Sequence, residues 1–147
     1  LVMIDERQRR LMELARRGER HLPQPPAGEG WISGHREIRS CGDAVTLHLQ
    51  LREGRILDAR YTGDGCALSL ASAELIAEAL AGREPAAAQE LLSSVWALLN
   101  RSSDDKEVAA APEIEDLAVV LEYPARKGCV LLAVEAALDA LSAVETN

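Results

Sequence analysis

Aromatic residues are scarce in this chain, at 3%, and phenylalanine is absent. A core without large rings has to be assembled from Leu, Ala, Val and Ile, which suits helices packed on a small sheet. The hydrophobic fraction is 48% over 147 residues, enough for one such core, and the expectation is a single domain over 1–147. No uninterrupted apolar run approaches the roughly 20 residues of a membrane span, which points away from the membrane. A surplus of positive charge is also missing. The net charge of −8 argues against a nucleic-acid binder, which would normally show a basic stripe, and favours a soluble protein that docks on a basic patch of a partner. The start, Leu1-Val2-Met3-Ile4-Asp5-Glu6-Arg7, lacks a basic region followed by an apolar core, so the expected compartment is the cytoplasm. There are only three cysteines. An odd count in that compartment argues for ligands or nucleophiles and against a disulfide framework.

What is present is strongly patterned. Ile4, Leu11 and Leu14 recur at helical spacing through Asp5 to Arg17, and Gly18 ends the run. Residues 1–30 thus read as an N-terminal helix and a Pro/Gly-rich connector, His21 to Gly30. From Ala44 to Arg52, Val45, Leu47, Leu49 and Leu51 alternate with Thr46, His48 and Gln50, the period of a half-buried strand. Glu53-Gly54-Arg55 makes a hairpin turn. The return strand runs from Ile56 to Thr62, with Leu57, Ala59 and Tyr61 expected on one face and Asp58 and Arg60 on the other. A weaker strand from Ile32 to Ile38 completes a small antiparallel sheet with one wet face. Beyond it the chain reads as helical: Ala67 to Ala81, Ala86 to Leu99, a short helix from Glu113 within Pro112 to Leu121, and Val130 to Val144. The acidic stretch from Arg101 to Ala111 reads as a mobile loop. Strands first and helices after them is the α+β order: a three-stranded antiparallel sheet packed on one side by helices, N-terminal helix first.

Each cysteine lies where the chain turns. Cys41 opens Cys41-Gly42-Asp43 before a strand. Cys66 closes Gly63-Asp64-Gly65-Cys66 before a helix, and Cys129 follows Pro124-Ala125-Arg126-Lys127-Gly128 before another. Three thiolates and the Asp43 carboxylate are four donors of the kind tetrahedral zinc takes. Gly42 permits a bend that turns Cys41 and Asp43 towards one ion. A helix N-terminus favours thiolate over thiol, and Arg126 adds positive charge beside an anionic centre. Without a metal the same features make nucleophiles. No Cys-x-x-Cys pair is present. The plainer alternatives are an apolar filler for any one cysteine, a turn residue for Asp43 or Asp64, and a surface charge for Arg126. His21, His35 and His48 are weaker ligand candidates.

The blocks Cys41-Gly42-Asp43, Gly63-Asp64-Gly65-Cys66-Ala67-Leu68-Ser69-Leu70-Ala71-Ser72-Ala73 and Pro124-Ala125-Arg126-Lys127-Gly128-Cys129 resemble the U-type iron–sulfur assembly proteins, the IscU, SufU and NifU N-terminal family, over roughly Ile32 to Leu141. Gly128 stands where IscU-type chains place a histidine, and the segment from Cys66 to Cys129 is long. Both features lean to the SufU branch, whose Pro-Ala-Arg pattern is matched by Arg126. The resemblance implies a SufE/NifU-like fold, zinc held by Cys41, Asp43, Cys66 and Cys129, and sulfur transfer. In that reading Cys41 accepts persulfide sulfur from a SufS-type cysteine desulfurase for a downstream iron–sulfur scaffold, with Cys41 and Arg126 as the catalytic residues. An alternative is a scaffold that binds iron and a nascent [2Fe-2S] cluster. The stretch Ala15 to Pro23 and Ile38-Arg39-Ser40 depart from the family's usual segments. They leave room for a third reading, a metal-stabilised interaction protein without transfer activity.

Overall fold

The computed structural model describes residues 6–100 and 112–145. The expected acidic loop, 101–111, lies outside the described residues. Helix α1 is Glu6–Arg17, followed by strands β1 (Trp31–Ile38), β2 (Asp43–Arg52) and β3 (Arg55–Asp64), helices α2 (Ala67–Leu80) and α3 (Pro85–Leu99), two 3₁₀ segments, Pro112–Glu122 and Pro124–Arg126, and helix α4 (Lys127–Glu145). The strands form one antiparallel sheet in the order β1-β2-β3. Helix α4 lies across β1 and β2, α2 packs beside it on β3, and α1 rests on α2 and the first 3₁₀ segment. The α+β expectation is met. No helix among the described residues is long and apolar enough to cross a membrane.

The inner sheet face is built as the alternation requires: Val45, Leu47 and Leu49 are fully buried, with Ile56, Ala59 and Tyr61 beside them. Glu53 and Gly54 both take positive φ, 53° and 77°, the conformation of a tight two-residue hairpin turn. One assignment changes. Gln50 faces Asp58 while Leu51 faces Ile56, so Leu57 is the extra residue of a β-bulge. The bulge shifts the parity of the strand. Ile56 therefore joins Ala59 and Tyr61 inside, and Leu57 is 55% exposed. His48 does fall on the outer face, yet it is buried there between the Ser33 and Thr62 hydroxyls, at 2.7 and 2.8 Å.

Two helix expectations shift as well. The segment expected as a short helix from Glu113 is a 3₁₀ run from Pro112 to Glu122. Helix α4 begins at Lys127, so Cys129 sits inside its first turn and not ahead of it. The apolar period of α3 holds, with Leu91, Leu92, Val95, Leu98 and Leu99 buried behind an N-terminal Pro85. Helix α2 is buried on most of its circumference, because sheet, α1 and α4 all meet it.

The connector after α1 is tied to the outer edge of β3. The Tyr61 N–H donates to the Arg20 carbonyl at 3.1 Å and the Leu22 N–H to the Tyr61 carbonyl at 2.8 Å. The His21 ring stacks on Tyr61 at 4.7 Å, and its Nε2–H donates to the Gly63 carbonyl at 2.8 Å. Beneath this join lies Glu74 of α2, 1% exposed. Its Oε1 accepts from the Tyr61 hydroxyl and the Arg20 N–H, both at 3.0 Å.

The close approach of α4 to β1 depends on Gly34. A Cβ at that position would overlap the Ala136 carbonyl oxygen and stand 2.5 Å from the Ala140 nitrogen. The Arg36 guanidinium next to it bonds Asp139 of α4 at 3.0 Å. Gly34→Ala is therefore expected to push α4 off the sheet, at a cost of about 1–3 kcal/mol or more, as overpacking does. Urea denaturation measures it, and an unchanged midpoint would show that the helix yields freely.

Glu78, one turn after Glu74, generates a pH dependence. Its carboxyl is pushed up to about 7, first by partial burial and then by a hydrogen bond and like charge shared with Glu74. Glu74 Oε2 is buried without a partner of its own, and it is the protonated form of Glu78 that can share a hydrogen bond with Glu74. The folded pair keeps this proton to higher pH than the unfolded chain does. The stability it contributes is complete below the ordinary value of 4.5 and is lost as pH rises through 7. Glu78→Gln keeps the neutral form throughout. Its melting temperature relative to the wild type should climb between about pH 5 and about pH 8. A difference that is flat with pH would refute the shared proton.

Candidate metal centre

One strand start and two helix starts converge at the end of the sheet where the β1–β2 hairpin turns. Asp43 is the first residue of β2 and is 4% exposed. Cys66 is the N-cap of α2, and its Sγ accepts the Ser69 N–H at 3.4 Å, the position of an ordinary capping oxygen. Cys129 is buried in the first turn of α4. One carboxylate oxygen and the two Sγ atoms all lie within 4.8 Å of one another. Donors about 2.3 Å from a common ion are separated by somewhat less than that, so a small contraction would place all three on one metal.

The glycines of the middle motif make this approach possible. Gly63 takes φ +113°, and a Cβ there would overlap the Ala44 carbonyl oxygen across the β2–β3 pair. A Cβ on Gly65 would stand 3.0 Å from the Asp43 Cγ and 3.2 Å from the Ser69 Cβ. Any side chain at Gly65 would part Asp43 from α2.

The remaining candidates lie apart. Cys41 is at the exposed tip of the β1–β2 hairpin, held by its N–H to the Ile38 carbonyl at 3.2 Å, and it is not in the converging group. Gly42 beside it takes φ +74°, and no atom approaches its Cβ direction within 4 Å. The hairpin tip therefore has space around it. Arg126 is exposed and lines an apolar groove of about 380 Å³ between α1 and the first 3₁₀ segment, together with Leu11, Met12, Leu68 and Tyr123. His35 bonds Thr46 on the outer sheet face at 2.8 Å, and His21 and His48 are engaged as described above. Asp64 bonds the Gly65 N–H at 2.9 Å, which is a turn role.

Ser69 went unassigned in the sequence reading although it stands inside the middle motif. Its hydroxyl donates to Asp43 Oδ2 at 2.7 Å and lies 3.5 Å from Cys66 Sγ. The signal was present as a capping spacing, with Cys66 at the N-cap and Ser69 three residues on.

The two thiols are driven apart. Burial pushes Cys66 up, but the hydrogen bonds around it, at Ser69, Cys129 and Leu68, outweigh it and leave Cys66 below its ordinary value. Burial pushes Cys129 up to about 11, reinforced by its hydrogen bond to Cys66 and by the charges of Cys66 and Asp43. Of the two, Cys66 is therefore the thiol that ionises more readily and Cys129 the one that keeps its proton. Two thiolates and a carboxylate packed this closely repel one another, and a divalent cation is the species that lets all three ionise together.

The NifU-like N-terminal domain family matches residues 23–143. The iron–sulfur cluster assembly scaffold protein IscU of Thermotoga maritima is 30% identical over 106 residues, covering 71% of this chain and 72% of that protein. The zinc-dependent sulfurtransferase SufU of Bacillus subtilis is 29% identical over 93 residues, 63% of each chain. Among solved structures, a putative iron–sulfur cluster assembly scaffold protein for the SUF system from Fervidobacterium islandicum shares the fold with a TM-score of 0.74 at 28% identity, covering 94% of this chain and 96% of that one.

Exposure and hydrogen bonding together set an order of thiol reactivity in the metal-free protein. Cys41, exposed, should alkylate first; Cys66, half-buried and the more readily ionised of the pair, second; Cys129, buried and protonated, last. Timed iodoacetamide labelling with peptide mass spectrometry measures the order. Labelling of Cys129 ahead of Cys66 would contradict the assigned order of ionisation.

Proposed function

The chain belongs to the NifU-like N-terminal domain family, the IscU, SufU and NifU proteins of iron–sulfur cluster assembly, and from that premise we propose that it is a zinc-dependent sulfurtransferase of the cytoplasm. It takes persulfide sulfur from a SufS-type cysteine desulfurase and passes it to a downstream iron–sulfur scaffold. The observation that carries this reading is the division of the donors. Asp43, Cys66 and Cys129 are gathered, while Cys41 stands exposed on a hairpin two residues from Asp43.

Asp43, Cys66 and Cys129 would hold zinc, with Cys41 as the fourth ligand in the resting protein. The metal, when bound, would keep thiols ionised at neutral pH and shield them from oxidants. Helix N-termini at Cys66 and Cys129 offset part of the negative charge. The transfer itself is done by Cys41. Its thiolate attacks the outer sulfur of the desulfurase persulfide, a new S–S bond forms at Cys41 Sγ, the old S–S bond breaks, and the desulfurase cysteine departs as a thiolate. The exchange needs no external oxidant or reductant. Arg126 is proposed to attract the anionic persulfide from its groove beside Leu68.

The same donors suit a scaffold carrying a [2Fe-2S] cluster as cargo, and the Thermotoga relative is named as a scaffold. Gly128, in place of a histidine beside Cys129, favours the transfer reading. Protein purified without oxygen should be colourless and hold about one zinc per chain. After incubation with a desulfurase and cysteine, one added sulfur atom should map to Cys41. Cys41→Ala should abolish stimulation of the desulfurase while the fold persists. Stoichiometric iron with acid-labile sulfide would put the scaffold reading in its place. Sulfur found only on Cys66 or Cys129 would overturn the role of Cys41.

A further inference from the structure

The Ser69 side chain touches both the carboxylate and a thiol of the gathered group. It is fully buried, on the face of α2 turned to the start of β2. A hydroxyl has a single hydrogen. The contact with Asp43 Oδ2, 2.7 Å to a charged acceptor, takes it in preference to the 3.5 Å contact with Cys66 Sγ. Cys66 is held instead by the Ser69 backbone N–H at 3.4 Å. One residue thus fixes two donors by two different groups, and only the carboxylate bond depends on its side chain.

We infer that Ser69 is a positioning residue that engages one oxygen of Asp43 through its hydroxyl and leaves the other as a single-oxygen ligand for the metal. The inference rests on the reading of this site as a metal centre. A carboxylate with both oxygens available can chelate or swing. One with Oδ2 engaged offers Oδ1 in a fixed direction, as partners behind a ligand do in metal sites. Packing enforces the arrangement. Because Gly65 has no Cβ, Asp43 and Ser69 can close on each other: their side-chain carbons flank the vacant Cβ position at 3.0 and 3.2 Å. Ser72, one turn on, donates to the Val130 carbonyl at 2.9 Å and pins the first turn of α4 to the same helix. The α2 serines therefore serve two separate jobs. Ser69 acts on a ligand side chain, and Ser72 acts on the backbone beside Cys129.

The test is zinc affinity of the full chain, by competition with a chromophoric chelator, for wild type, Ser69→Ala, Asp43→Ala and the double variant. Ser69→Ala should weaken zinc by about 10–100-fold in the wild-type background and add nothing once Asp43 is alanine. Ser69→Thr, which keeps the hydroxyl, should retain most of the affinity. The visible bands of the cobalt(II)-loaded protein should shift in Ser69→Ala and be identical in Asp43→Ala and the double variant. Circular dichroism of each variant confirms that it is folded. Equal losses from Ser69→Ala in both backgrounds would mean a general packing role and would overturn the inference, as would unchanged affinity. A wild-type protein that binds neither zinc nor cobalt would instead refute the metal centre itself, and the inference with it. Wild-type binding with an unaffected Ser69→Ala leaves the metal centre standing and removes only Ser69.

Discussion

The short bond from the Ser69 hydroxyl to the Asp43 carboxylate, 2.7 Å and buried, is the contact on which the rest of the site depends. Asp43 begins the central strand and Ser69 lies in the first turn of α2. A carboxylate removed from water is costly unless its oxygens find donors. The bond supplies one donor and also joins sheet to helix at the point where Cys66 caps that helix. Helix α4 is brought to the same place by a different route. Gly34 admits it against β1, Arg36 bonds its Asp139, and Ser72 bonds its Val130 carbonyl. Geometry at the donors is thus inherited from contacts made well outside them.

Much of this architecture was legible in order and kind. Val45, Leu47 and Leu49 alternate so cleanly that β2 could be read directly, and the Glu53-Gly54 turn followed from its place between two strand patterns. Gly18 marked the end of the first helix, which closes at Arg17. The errors share a cause: periodicity describes an ideal element, and tertiary contacts bend it. Leu57 was placed inside because the strand was read with unbroken parity, and a bulge changes parity without a sequence mark as plain as glycine. Cys129 was placed before its helix because the apolar pattern was read from Val130, whereas α4 already begins at Lys127. The run from Pro112 kept a helical appearance although it winds as a 3₁₀ segment.

The site divides in the same way. Cysteines at the ends of elements, flanked by glycines, were readable as candidate donors because capping and turn chemistry are local. Nothing local could show that Cys41 stays apart from the other three, since that depends on how far the β1–β2 hairpin leans toward α4. Ser69 was likewise hidden. A serine in a helix that is buried nearly all round looks like a small packing residue, and its partner, Asp43, lies on another element. Residues that act on another residue's side chain leave little trace in sequence spacing.

The separation of Cys41 from the gathered donors has a mechanical consequence. Asp43, Cys66 and Cys129 sit at the ends of regular elements packed on the core, so their backbone is anchored and only small side-chain adjustments are open to them. Cys41 sits on a turn whose neighbour, Gly42, has free space and positive φ. A ligand on such a turn can join or leave a metal by rotation of a few backbone bonds, with no repacking of buried side chains. A donor set with three fixed members and one movable member retains an ion while releasing a nucleophile, which is the requirement of a protein that must hold a metal and also expose a sulfur to a partner. A site meant only for structure would gain by burying all four donors equally, as closed structural zinc sites do. The asymmetry between hairpin tip and helix starts is therefore the feature of this fold that most directly connects its packing to the proposed sulfur transfer.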